Sequence, residues 1–330
     1  MIDNSIYRED IKYVADLELS WEKLSNKSIL ITGASGLIGS FLIDVLMEKN
    51  QQGLNCKIYA LGRNLDKAKN RFKMYWASPL FEFVSHDINE PLELDDADQV
   101  DFVVHLASNT HPVAYATDPI GTVTANIIGT SNLLKFAVKH HAERFAFASS
   151  NEIYGENRGD VEFFDETYCG YIDSNTLRAG YPESKRCGEA LCQAYKKQEN
   201  LDVVIPRFTR SYGPTMLKSD TKAISQFIKK AVEGENIVLK SAGTQYYSYT
   251  YVADAVSGFL TVLLRGESGE AYNIADEASD IMLKDLAKII ADFAGKEVVF
   301  ELPDETEKAG YSKATKARLD GSKLKKLGWS

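Results

Sequence analysis

Nothing in this chain of 330 residues resembles a disulfide framework or a zinc site: its four cysteines, Cys56, Cys169, Cys187 and Cys192, show no C-x-x-C spacing. They read as reduced and structural, as in a cytosolic protein. The five histidines, the adjacent His140 and His141 among them, show no metal-ligand spacing, and no metal is expected. Basic charge is scarce too. Lys and Arg number 38 against 47 Asp and Glu, a net charge of -9, which argues against a nucleic-acid or anionic-membrane partner. No uninterrupted apolar run approaches the ~18 to 20 residues that cross a bilayer. The opening "MIDNSIYREDIKYVADLELSWEKL" has neither the basic start nor the apolar run of a signal peptide, so a cytoplasmic protein is expected. The chain lacks internal repeats and low-complexity tracts, and it stops at "KLKKLGWS", which reads as a cut.

With 44% hydrophobic and 26% charged residues, the chain can bury a substantial core and exceeds the size at which single cores split. After a polar arm over residues 1–26, "SILITG" is β-branched and apolar on both faces, as in a buried parallel strand. "ASGLIGSFLIDVLMEKN", "NLDKAKNRFKMYW", a segment from Pro119 to His141 and the stretch around Tyr181 have helical period. Between them lie "KIYALG", "FEFVSHDI", "DFVVHLA", "RFAFASS" and "DVVIPRF". The alternation predicts right-handed crossovers and a doubly wound parallel α/β sheet over residues 27–208. A smaller α/β lobe is expected over 209–330, with about 246–265 returning to the first domain. "GENIVLKSAG" and "GEAYNIADE" read as its short strands. Such a lobe closes a cleft at the carboxyl ends of the large sheet.

"TGASGLIGS" places Gly33, Gly36 and Gly39 between a buried strand and an amphipathic helix. That context predicts a Rossmann dinucleotide site over Gly33, Ser35, Gly36, Leu37, Ile38 and Gly39. The second strand ends in "YALGRN", with Arg63 where an acid would meet an NAD ribose. A guanidinium suits the 2′-phosphate of NADP, or it stacks on adenine or lies in solvent.

From "TGASGLIG" through "HDI", "HLAS", "NIIGT", "SSNEIYG", "YPESK", "RSYGP" and "YTYVADAV", the chain resembles the extended short-chain dehydrogenase/reductases that epimerise, dehydrate or decarboxylate nucleotide sugars. The resemblance implies a tightly held nicotinamide cofactor, NAD in this family, with Asp87 and Ile88 near adenine. Leu106, Ala107, Ser108 and Asn126 would line or support its site. "HLASNTHPVAYATDPIGTVTANIIGT" and "RAGYPESKRCGEALCQAY" look like the UDP-glucuronate decarboxylase branch. Two positions depart from it. Tyr247 in "GTQYYSYTYV" stands where G-x-Q-x-R-x-F-x-Y-V has arginine, and Arg210 in "RFTRSYGP" stands where R-I-F-N-T-Y-G-P has asparagine. The substrate-binding residues carried over are Asn151, Arg210, Tyr247 and Tyr249. The tyrosines of "QYYSYTYV" would stack on a nucleobase or sugar, or simply pack. Thr209 to Ser211 should lie near the cleft, and Tyr212, Gly213 and Pro214 should begin the second lobe.

Tyr181 and Lys185, at i and i+4, lie on one helix face. An ammonium beside the phenol favours the phenolate, which makes Tyr181 a usable base; the resemblance adds that Lys185 bonds the nicotinamide ribose. Ser150 would orient the same substrate oxygen. Glu152, if burial raises its pKa, would take a proton from C5 or manage protons around an enolate; otherwise it is a structural acid on backbone N–H groups. The expected reaction oxidises sugar C4. The resulting β-keto acid loses carbon dioxide, or a hexose loses water with Glu152 as base, and hydride then returns. A 4,6-dehydratase, a 4-epimerase, an NADP-dependent reductase and a catalytically silent nucleotide-binding scaffold are the alternatives. The family implies a homodimer through the helices at 119–141 and 181–198.

Overall fold

The computed structural model of the protein describes residues 4–94, 99–110, 112–217, 219–301, 303 and 315–330. Parallel strands β1 (Ser28–Thr32), β2 (Lys57–Gly62), β3 (Phe81–Ser85), β4 (Phe102–His105), β5 (Arg144–Phe147), β6 (Ser149–Ser150) and β7 (Val203–Phe208) form the large sheet. Its order runs β7-β5-β4-β1-β2-β3, with β6 paired to β7. Strand direction of growth reverses at β1, which has β2 on one side and β4 on the other. A crevice opens at the carboxyl end of such a pair.

Both faces of this sheet are buried, because successive strand residues point to opposite sides. Ile29 and Ile31 of β1 enter one core with Tyr7, Phe41 and Phe259. These come from α1 (Ser5–Asp16), α2 (Leu37–Gln51) and α8 (Val252–Arg265). Leu30 and Val103 enter the other core with Leu133, Leu134 and Cys192, carried by α5 (Pro119–Lys139) and α6 (Gly180–Glu199). The N-terminal arm is thus part of a layer. Its Tyr7 hydroxyl donates to the fully buried Asp44 at 2.5 Å, and Asp44 is also ion-paired with Arg71. Arg71 ends α3 (Leu65–Arg71). That helix is shorter than its period suggests, because Phe72, Tyr75 and Trp76 turn back to pack on Phe81.

The smaller lobe contains β8 (Arg210–Tyr212), α7 (Ala223–Glu233), β9 (Ile237–Leu239), β10 (Tyr246–Tyr251), β12 (Asp280–Met282), α9 (Leu283–Ala294), β13 (Val298–Phe300) and β14 (Lys316–Ala317). β10 pairs with β8, β12 and β14, and β9 pairs with β13. One strand departs from expectation. β11 (Ala271–Ile274), read as part of this lobe, instead extends the large sheet beside β7, with Ala271 opposite Ile205. Its path follows α8, which packs on α1 and α2 and so carries the chain back across the first domain.

Candidate active site

The glycine turn is built by close approach. Gly33 has φ +66°, and a Cβ there would stand 2.9 Å from the backbone nitrogen of Ala107. A Cβ on Gly39 would stand 2.5 Å from the Gly33 carbonyl oxygen. Gly36 begins α2 without a side-chain cap, so first-turn N–H groups remain available to an anion. Thr32 braces the crevice: its Oγ1 accepts from Leu106 N at 3.2 Å and Ala107 N at 3.1 Å and lies 3.0 Å from His105 Nδ1. Burial, with Lys185 adding to it, pushes the His105 pKa down to about 3. These groups fit a dinucleotide pyrophosphate lying along Gly33–Gly39.

A cleft of about 940 Å³ runs from this turn to the smaller lobe. Gly33, Ser35, Gly36, Leu37, Ile38, Gly39, Arg63, Asp87, Ile88, Leu106, Ala107 and Ser108 line one part, and Ser150, Asn151, Glu152, Tyr181, Lys185, Arg210, Tyr247 and Tyr249 line another. Asn126 stands behind the wall, donating to Ser184 Oγ at 2.9 Å, so it supports α6 without facing the cleft. The Arg63 side chain is 74% exposed and lies 3.9 Å from an Asp87 carboxylate oxygen.

Ser150 ends β6, where its Oγ accepts from Glu152 N at 3.2 Å. Tyr181, in the first turn of α6, is buried. Its ring stacks on Tyr115 with centroids 4.8 Å apart; Tyr115 belongs to α4 (Pro112–Thr117). The Lys185 ammonium donates to the Ala148 carbonyl at 2.7 Å and lies 5.9 Å from the Tyr181 ring centre. The electrostatics differ from the sequence expectation. Burial, helped by Glu152, raises the Tyr181 pKa above its ordinary 10, against hydrogen bonds from Ser150 and Tyr115 and the charge of Arg178. Burial pulls Lys185 down to about 7, against Glu189. Low dielectric disfavours the charged form of both partners, so helical adjacency alone does not yield a phenolate.

Two residues absent from the sequence expectation complete the wall. Arg178 precedes α6 and donates from Nη2 to the Glu152 carboxylate at 2.6 Å. Its guanidinium lies 4.8 Å from the centre of the Tyr115 ring. Glu152, expected as a C5 base or an acid on backbone N–H groups, is therefore half of an ion pair. Both newcomers fall inside "HPVAY" and "RAGYPESK", parts of stretches already quoted for the resemblance. Their meeting is tertiary.

A glycine turn where strand order reverses faces a tyrosine–lysine helix across one cleft, and with the family match and relatives below it places the chain among the extended short-chain dehydrogenase/reductases. It belongs to the NAD dependent epimerase/dehydratase family, whose model matches residues 29–275, and it is an enzyme of that family. UDP-glucuronic acid decarboxylase 6 of Arabidopsis thaliana is 32% identical over 306 residues, 92% of this chain and 84% of that protein. UDP-glucuronic acid decarboxylase 1 of Xenopus tropicalis is 34% identical over 269 residues, 82% of this chain and 61% of that protein. Among solved structures, dTDP-glucose 4,6-dehydratase from Streptomyces venezuelae, a double mutant with NAD bound, superposes with a TM-score of 0.77 at 24% identity, covering 92% of this chain and 91% of that one. UDP-glucuronic acid 4-epimerase from Bacillus cereus, with UDP-glucuronic acid and NAD, gives 0.76 at 23% identity, covering 92% and 93%. These two share the fold.

Proposed function

We propose that the chain decarboxylates a UDP-glucuronate-type nucleotide sugar through transient oxidation at C4. The observation that carries this reading over dehydration is the Glu152–Arg178 pair at 2.6 Å. A dehydratase needs a carboxylate free to take the C5 proton, whereas a β-keto acid loses carbon dioxide without a base at C5. The decarboxylase relatives support the same choice.

In this reading Ser150 and Tyr181 hold the C4 oxygen, and Tyr181, once the bound ligands favour its phenolate, accepts the C4 hydroxyl proton. The chemistry supplied by a bound nicotinamide dinucleotide is hydride acceptance from C4 and its later return. When C4 is a ketone, the bond from C5 to its carboxylate breaks, carbon dioxide leaves, and the electron pair passes into an enolate whose oxygen Ser150 and Tyr181 stabilise. C5 then takes up a proton from water, and Tyr181 returns its own proton to the C4 oxygen as hydride comes back to C4. We take the dinucleotide to be NAD: the Arg63 side chain lines the cleft but is largely exposed and lies beside Asp87, and the family is NAD-dependent. A reducing compartment suits the four free cysteines.

The test is mass spectrometry of products from UDP-glucuronate and, separately, from UDP-, dTDP- and CDP-glucose. Loss of carbon dioxide from UDP-glucuronate is expected. Loss of water from a hexose would instead make the protein a dehydratase, and an unchanged mass with a changed sugar NMR spectrum would make it an epimerase.

A further inference from the structure

Arg210 and Tyr247 lie on neighbouring parallel strands, β8 and β10, with Arg210 opposite Tyr249. The Arg210 guanidinium carbon is 3.4 Å from the centre of the Tyr247 ring. Both residues line the cleft. The charges of Glu152 and Arg178 act on both Tyr247 and Tyr181, and all four residues line the one cleft. A second guanidinium of this wall, Arg178, is matched by Glu152. Arg210 differs. Its Nη1 is buried with no hydrogen-bond partner among the described residues, and the fork meets Tyr247 through the ring face and a side-chain hydrogen bond rather than through a carboxylate. A guanidinium has donors only; Nη1 is shielded, so an entering acceptor oxygen meets the rest of the half-buried fork, which lines the cleft. Stacking fixes the plane of the fork and leaves its edge for such an oxygen.

We propose that Arg210, held flat by Tyr247, receives an anionic oxygen of the nucleotide sugar, from its diphosphate or from a hexuronate carboxylate. This rests on the nucleotide-sugar reading above. It also joins the two departures from the decarboxylase-like pattern: the guanidinium has moved from position 247 to 210, and the exchanged positions are stacked face to face. Tyr247 is then a positioning residue.

The experiment is calorimetric binding of UDP, UDP-glucose and UDP-glucuronate to the NAD-loaded protein and its variants. In R210A, affinity should fall about 10- to 100-fold. An equal fall for all three ligands assigns the diphosphate, and a fall confined to UDP-glucuronate assigns the carboxylate. Y247F, which keeps the ring, should stay within about 3-fold of wild type, while Y247A should approach R210A. R210N/Y247R, which moves the guanidinium to β10, should bind more tightly than R210N; equal binding would show that the two positions are not one subsite. If R210A does not fold, R210K supplies the same comparison, because it keeps charge and loses the fork. A folded, NAD-loaded R210A or R210K that binds all three ligands within about 2-fold of wild type overturns the proposal alone. Wild-type protein that binds none of them overturns the nucleotide-sugar reading together with it.

Discussion

Tyr181 and Lys185 show how burial decides a pair that spacing brings together. The phenol is raised and the ammonium lowered by the same low-dielectric wall, so proton acceptance by Tyr181 depends on charge and donors arriving with the ligands. Tyr181→Phe removes the only atom that exchanges the proton while keeping the stack on Tyr115. Turnover should drop by about 10²- to 10⁴-fold, with the dinucleotide content of the purified protein unchanged; steady-state rates and released cofactor measure the two. Lys185 gives a pH signature of its own. Its pKa is about 7 in the folded protein against an ordinary 10.5, so between those values the unfolded chain holds the extra proton. Stability therefore rises with pH across that window, and the penalty is fully present below about 7. Above the ordinary value of 10 the raised phenols of Tyr7, Tyr75 and Tyr181 reverse the trend, because the unfolded chain ionises them first. Denaturant titrations from about pH 6 to about pH 9 should show the rise in wild type and a flatter profile in Lys185→Met. An unchanged slope in the variant would mean that another group governs it.

Among the elements, the strand–turn–helix of β1 and α2 is the most constrained by backbone contact. Gly33→Ala forces a side chain into φ +66° and against Ala107 N, and Gly39→Ala places a methyl on the Gly33 carbonyl. Each should cost about 1–3 kcal/mol and strip the bound dinucleotide during purification. Gly53 also has a positive φ, +97°, but a Cβ there meets nothing within 4 Å. Gly53→Ala should lower stability and leave dinucleotide content intact, which absorbance and chromatography of released cofactor would establish. This element is legible in the sequence because strand, glycine spacing and helix all lie within one short stretch. The run of alternating strands and helices is legible for the same reason. Arg178 and Glu152 are not, although each lies in a stretch that looks functional: they are 26 residues apart and meet only when the turn before α6 folds over the turn after β6. β11 is equally opaque, since four residues of strand carry no mark of which sheet they join, and α8 makes that choice by crossing back over α1 and α2. The Arg210–Tyr247 stack lies between these cases. Its two unusual residues are visible in the sequence, and their contact is not.

At the scale of the whole molecule, α5 and α6 pack side by side over one face of the large sheet. Their inner sides fill a core with Leu133, Leu134 and Cys192. Outward, α5 leaves Ile120 77% exposed and Ile128 44% exposed. On α6, Cys187, Ala190 and Ala194 are at least partly accessible and recur at helical spacing. Two packed helices with small and aliphatic outer residues suit a second copy of the same pair, which would bury both stripes in a four-helix arrangement. The apolar strip is limited, so a single charge at its centre should be enough to disrupt it. Light scattering after gel filtration should give twice the chain mass of 36.8 kDa for wild type and the single-chain mass for Ile128→Arg or Ala190→Arg. Both sites lie outside the cleft, so each variant should keep its bound dinucleotide and cooperative unfolding. A variant that stays dimeric at micromolar concentration would move the interface elsewhere. A wild type that is monomeric would leave these stripes as ordinary exposed surface.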